Sequence, residues 1–173
     1  GVWAAVFVAL LAGSAYYPPA AAASKGNLFD GERTLDGLSY LAEFGGEYGA
    51  IMYLRDNSGP GSAVLEAVGG DYSSFGRVSG STGVPTVLGW PGHEVQWRGS
   101  GETLADREDD VRRIYETSDT AAAENLLQKY TVDYVYVGPR EREVYGPEGM
   151  VKFSSFMDKV YSDGGVDIYR VRN

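Results

Sequence analysis

An unbroken apolar run from Val2 to Ala12 opens the chain, and no charged residue follows until Lys25. Gly13, Ser14, Ala15, Tyr16, Tyr17, Pro18 and Pro19 come directly after the run. A membrane-crossing helix needs about 20 apolar residues. The pattern therefore predicts the end of such a helix over residues 1–19, with the two tyrosines in the interfacial belt and the proline pair as its stop. A signal peptide would need a basic segment ahead of the run, which is missing here. A buried core helix is the remaining alternative, and the length permits it. The flank that follows is poor in Lys and Arg, which favours the outer side of the membrane. Residues 20–37, an Ala run followed by Gly, Asn, Asp and Thr, read as a linker into a soluble domain over residues 38–173.

From Leu38 onward, helical and strand periodicities alternate. Leu38, Leu41, Ile51 and Leu54 predict one or two short helices up to Asn57, ended by Ser58-Gly59-Pro60-Gly61. Ala63–Val68 and Pro85–Leu88 read as short buried strands, with a Gly- and Ser-rich loop over 69–84 between them. A helix is predicted over Asp106–Glu116, with Val111, Ile114 and Tyr115 on one face. Asp119 is placed to cap a second, which carries Ala123, Leu126, Leu127 and Tyr130 on its stripe. Val132–Val137 is the clearest strand. Pro147 is expected to open a helix with Phe153, Phe156, Met157, Val160 and Tyr161 aligned, and Val166–Val171 to form the last strand. This alternation predicts an α/β layered domain: a small, largely parallel sheet flanked by helices, preceded by the end of a transmembrane helix. In such sheets, ligands bind beyond the carboxyl ends of the strands. Three polar post-strand segments, 69–72, 89–98 and 138–142, are expected to meet at that edge.

Composition removes several functions. The net charge is −9 and no basic tract is present, so no nucleic-acid partner is expected. Cysteine is absent, which excludes disulfides and thiol nucleophiles. The 13 tyrosines make an interaction surface the alternative to a ligand site.

The densest chemistry lies in Gly89-Trp90-Pro91-Gly92-His93-Glu94-Val95-Gln96-Trp97-Arg98-Gly99, with the single His and two of the three Trp. Aromatic faces beside carboxylate, amide and guanidinium groups suit a sugar or a peptide. The alternative makes Trp90 and Trp97 core anchors and His93–Glu94 a structural hydrogen bond. The zinc-protease pattern fails because Trp97 stands where the second His is required, and the Pro-Gly pair argues against a helix there. No metal site or cofactor is expected. A serine-hydrolase elbow is absent, and the stretch around Ser79–Gly83 lacks the Lys of a phosphate-binding loop. Glu66, inside an apolar strand, needs a partner, for which Arg77 and Arg98 are candidates. Arg140-Glu141-Arg142-Glu143 reads as a solvated turn, with an anion contact from one Arg as the sharper reading.

Thr34-Leu35-Asp36-Gly37, Leu65-Glu66-Ala67, Tyr72 to Ser79, Thr82 to Trp90, Gly92-His93-Glu94, Gln96 to Gly99, Lys129 to Gly138 and Lys152-Phe153 together resemble the C-terminal part of the YYY-domain family of large, uncharacterised bacterial and archaeal membrane proteins. That family is similar to the glycosyltransferase C superfamily, multi-pass enzymes that take sugars from polyprenyl-phosphate carriers. There the catalytic acid usually lies in an early extracytoplasmic loop, to which nothing here corresponds. The resemblance implies an extracytoplasmic accessory domain, not catalytic by itself, joined to an upstream membrane domain. Its partners would be a polyprenyl-phosphate-linked sugar or a glycan or protein acceptor. Trp90, His93, Glu94, Gln96, Trp97 and Arg98 are the expected pocket lip, with Glu66, Tyr72 and Arg77 in support and Arg98 or Arg142 for a carrier phosphate. The alternative is a structural or interaction module in a larger membrane assembly.

Overall fold

A computed structural model of the chain describes residues 1–26, 28, 35–99 and 102–172; Thr34 and the other linker positions 27 and 29–33 lie outside them. The chain divides into two compact units, Gly1–Gly37 and Leu38–Asn173.

In the first unit, α1 spans Val2–Lys25 and buries none of its residues. At 1.5 Å per residue its 24 residues reach about 36 Å, enough to cross a bilayer core. The helix does not stop at the proline pair: Pro18 and Pro19 lie inside it. Each proline removes one hydrogen bond, and Ala20–Ala23, the strongest helix formers, carry the helix on to Lys25.

The second unit places one four-stranded sheet between two helical layers. Its strands are β1 (Val64–Leu65), β2 (Tyr134–Val137), β3 (Met157–Asp163) and β4 (Val166–Val171), in the order β1-β2-β4-β3. Alternation along β2 divides the core. Val135 and Val137 face a cluster with Val111, Ile114 and Tyr115 of α5 (Glu102–Glu116), Leu127 of α6 (Thr120–Lys129) and Phe153 of α8 (Phe153–Phe156). Tyr134 and Tyr136 face the other way, onto Ala50 and Leu54 of α2 (Glu47–Asn57) and Val78 of α3 (Arg77–Thr82). A strand covered on both faces has no polar side, which is why β2 reads as a continuous run. Each large aliphatic or aromatic side chain so buried contributes about 1.5–3 kcal/mol. Asp119 caps α6 as expected, its carboxylate accepting from Ala122 N.

The layered α/β architecture and the helix-flanked sheet match the sequence pattern; the strand directions do not. Only β1–β2 is parallel, while β2–β4 and β3–β4 are antiparallel. The reason lies in residues 147–163, where one helix was predicted. The chain forms a 3₁₀ turn (Glu148–Lys152) and the single helical turn of α8, then leaves as β3. Gly164 and Gly165, both at positive φ (51° and 84°), close a two-residue hairpin into β4. That turn needs two left-handed residues, and once it forms, β3 must run antiparallel to β4. A register shift between Lys159 and Tyr161 absorbs one residue of the helical-period stripe. Pro85–Leu88 contributes only an isolated bridge, Val64 to Thr86.

Candidate functional site

Two short helices build the edge of the sheet, and each is capped by a carboxylate from another segment. Residues 69–84, read as loop, contain α3, which starts from Gly76. The Glu66 carboxylate accepts from Val78 N (2.9 Å) and Ser79 N (2.8 Å), the free donors of the first turn of α3. The partner of Glu66 is thus backbone N–H rather than Arg77 or Arg98. Burial pushes the Glu66 carboxyl above its usual pKa, and the bonds from Ser79 and Val78 only partly offset that. Residues 91–98, also expected to be non-helical, form α4 (Pro91–Arg98). Pro91 is at the first helical position, where its fixed φ starts a helix and its missing N–H costs nothing. Asp71 accepts from Gly92 N at 3.1 Å; a Cβ on Gly92 would meet the Asp71 carboxylate at 2.1 Å, so a larger residue there would have to displace that carboxylate. Glu94 accepts from Gly89 N at 3.1 Å and pairs with Arg98 at 2.8 Å.

Beneath the edge lies a buried ionic network. Glu47 grips Arg77 through both oxygens (2.9 and 2.6 Å), and Glu141 of α7 (Pro139–Tyr145) approaches the same guanidinium at 3.5 and 3.4 Å. Glu141 also accepts from Ala67 N (3.0 Å) and Gly138 N (2.9 Å), tying α7 to the segments after β1 and β2. Burial alone would lower the Arg77 pKa, but its hydrogen bond to Glu47 and the charge of Glu141 more than reverse it. Arg77 remains cationic.

Segments 69–72 and 89–98 meet, while 138–142 reaches Ser74 and Phe75 through Arg140. Tyr72, at φ 53° and 77% exposed, brings its hydroxyl to 2.5 Å from His93 Nε2. Trp90 completes the group, with ring centroids 5.4 Å from both Tyr72 and His93. Trp90 Nε1 donates to Phe75 O at 2.6 Å, and Phe75 lies under Arg140, whose guanidinium also donates to Ser74 at 2.9 Å. Tyr72, Trp90 and His93 therefore form one partly exposed aromatic group, while Glu66 and Arg77 are buried supports below it. Gln96, Trp97 and Arg98 are exposed on α4, with Trp97 82% exposed. Arg142 stands apart: it bonds Gly165 O and Asp167 at the β3–β4 hairpin. Among the described residues, no group of three or more His, Asp or Glu is placed to hold a metal ion.

A groove of about 350 Å³ next to this edge escaped the sequence reading. Tyr40, Glu43 and Phe44 line it together with Arg77, Arg140 and Glu143. Tyr40, Glu43 and Phe44 come from the approach to α2, where Leu38 and Leu41 gave the pattern; exposed aromatics leave no periodic signal.

No family model matches the chain, and no curated protein matches it. Among solved structures, the crystal structure of the C-terminal globular domain of an oligosaccharyltransferase from Archaeoglobus fulgidus aligns with a TM-score of 0.45 and 13% identity. The alignment covers 72% of this chain and 95% of that one, a likeness too loose to assign fold or activity.

Proposed function

We propose that residues 38–173 form the extracytoplasmic accessory domain of a glycosyltransferase-like membrane protein, and that its aromatic edge contacts a sugar acceptor or a polyprenyl-phosphate-linked donor. One observation carries this reading: Tyr72, Trp90 and His93, brought by two loops to one edge of the sheet, pack together while staying open to solvent. Rings of this kind stack on the apolar faces of a pyranose, and the His93 ring nitrogens and the Tyr72 hydroxyl suit its hydroxyl groups. Glu66 and Arg77 hold α3 and the loops in place, so the edge is fixed before a ligand arrives. Arg98, exposed and engaged through Nε alone, keeps N–H donors for a carrier phosphate. The apolar helix α1 supports a membrane location, and the family resemblance supports the outer face.

The test is a titration of the intact chain in detergent with a short-chain polyprenyl-phosphate sugar, followed through the Trp90 indole signal. Tyr72→Ala and His93→Ala are expected to weaken binding about tenfold each, the loss of one good stacking or hydrogen-bond contact. Unchanged binding in both variants, together with unchanged transfer by the full membrane protein, would remove the reading.

A second reading has its own observation. Trp97 projects from α4 almost fully exposed, as the anchors of protein interfaces do. On this reading α4 docks against another part of a membrane assembly. Trp97→Ala would then disrupt assembly and leave sugar binding intact.

A further inference from the structure

The groove beside the aromatic edge has a charge balance that selects its ligand. Tyr40 and Phe44 are 52% and 55% exposed, and their rings meet edge to face at 6.3 Å. Leu41 and Pro139 add apolar surface, and the buried Glu47 and Arg77 form the floor. Both cations in the groove already have partners. Arg77 is gripped by Glu47 and Glu141, and Arg140 is held by Glu143 (2.7 Å) and Ser74 (2.9 Å) while lying over Phe75. Glu43 differs: it lines the groove, it is exposed, and no hydrogen bond or ion pair engages it among the described residues. The lining therefore has three carboxylates (Glu43, Glu47, Glu143) against two guanidinium groups, and Glu141 behind Arg77 adds a fourth negative charge.

An unengaged carboxylate beside two exposed rings is the chemistry that holds an organic cation. The ring faces attract it, the carboxylate accepts a charge-assisted hydrogen bond, and the apolar walls receive its stem. We infer that this groove binds an alkylammonium or guanidinium group on an apolar stem, either a free amine or the Lys or Arg side chain of a polypeptide. This site is separate from the aromatic edge, since Tyr72, Trp90 and His93 do not line it, and it stands whether or not the glycosyltransferase reading holds.

Amide-resolved NMR on the intact chain in detergent tests it with four probes: a short lysine peptide blocked at both ends, butylammonium, the same peptide with norleucine for lysine, and methyl glucoside. The lysine peptide should shift the amides of Phe44, Gly45 and Gly164. Glu43→Gln, an exposed isosteric change that leaves the fold alone, should weaken it about fivefold, and Tyr40→Ala by a similar factor. His93→Ala should leave it unchanged. Butylammonium binding as well as the peptide identifies a free amine as the ligand; peptide binding much the tighter identifies a basic side chain. The inference is overturned if norleucine peptide or methyl glucoside shifts these amides as strongly, if Glu43→Gln has no effect, or if the cations produce no shift.

Discussion

Glu66 offers the sharpest test of how this domain is held together. Its carboxylate is fully buried and satisfies two backbone donors, Val78 N and Ser79 N, that have no partner within α3. Replacing Glu66 with Ala leaves both N–H groups buried without an acceptor, at about 1–3 kcal/mol each, and opens a small cavity. The expected loss is about 3–5 kcal/mol, or about 10 °C or more in melting temperature for a domain of this size. Glu66→Gln keeps one acceptor and turns an NH₂ group toward the other donor, so an intermediate loss of about 2–3 kcal/mol follows. Titration separates this mechanism from simple packing. Burial raises the Glu66 pKa above the usual 4.5, so between that value and the folded-state pKa the native protein binds more protons than the unfolded one. Stability contributed by the protonated group is complete below 4.5 and is lost as pH rises through the folded pKa, at no more than about 1.4 kcal/mol per pH unit. Asp110 and Asp167 are shifted the opposite way, against a net burial cost, by hydrogen bonds from Lys129 and Tyr130 and from Ser162 and Lys159 respectively, so they act below this window. Urea denaturation from pH 4 to 8 should therefore show a falling component in the parent chain that Glu66→Gln abolishes. Parallel pH profiles for the two proteins would refute the burial-driven shift, and an alanine variant as stable as the parent would refute the capping role.

Three further outcomes follow from the same packing. Arg77→Met strands the buried Glu47 and Glu141 carboxylates and should cost about 3–5 kcal/mol, measured by urea denaturation at neutral pH; Glu47→Gln in the same background should recover part of the loss. Gly149→Ala places a Cβ 2.2 Å from Tyr115 O at the end of α5, so thermal melting should drop by several degrees. Burial lowers the Lys152 ammonium pKa to about 8, below its unfolded 10.5, so the unfolded chain holds the extra proton in between. Stability should rise with pH from about 8 toward 10 in the parent and stay flat in Lys152→Met, as followed by denaturant titration.

The sequence announced those parts of the fold whose causes are local. Asp119 ahead of an apolar stripe marked α6, and the buried run Tyr134–Val137 marked β2. Elements held by distant partners were hidden. α3 has six residues, glycines at both ends, and a cap that comes from Glu66, 12 residues away from Val78. β3 was masked by a stripe of helical period, although Gly164-Gly165 was a readable hairpin signal. The aromatic edge followed the same division. Trp90 and His93 stood out as one composition-rich segment, and Tyr72 came with a post-strand loop. Pro91-Gly92 does not break α4, because Pro91 stands in its first turn, where a proline suits a helix. Arg142, chosen for its charge in a post-strand segment, sits in α7 and bonds the β3–β4 hairpin.

The strand order has a consequence for biosynthesis. β4, the last strand along the sequence, is not at the rim of the sheet but between β2 and β3. While the ribosome is still translating, β2 has only its two-residue partner β1, and one side of its backbone hydrogen-bond ladder, on a strand of hydrophobic side chains, stays open until residues 166–171 emerge. The domain cannot mature piecemeal from its front end. A nascent chain stalled or truncated before Val166 would present an unpaired hydrophobic edge, the kind of surface that chaperones capture and that proteases and aggregates otherwise find first.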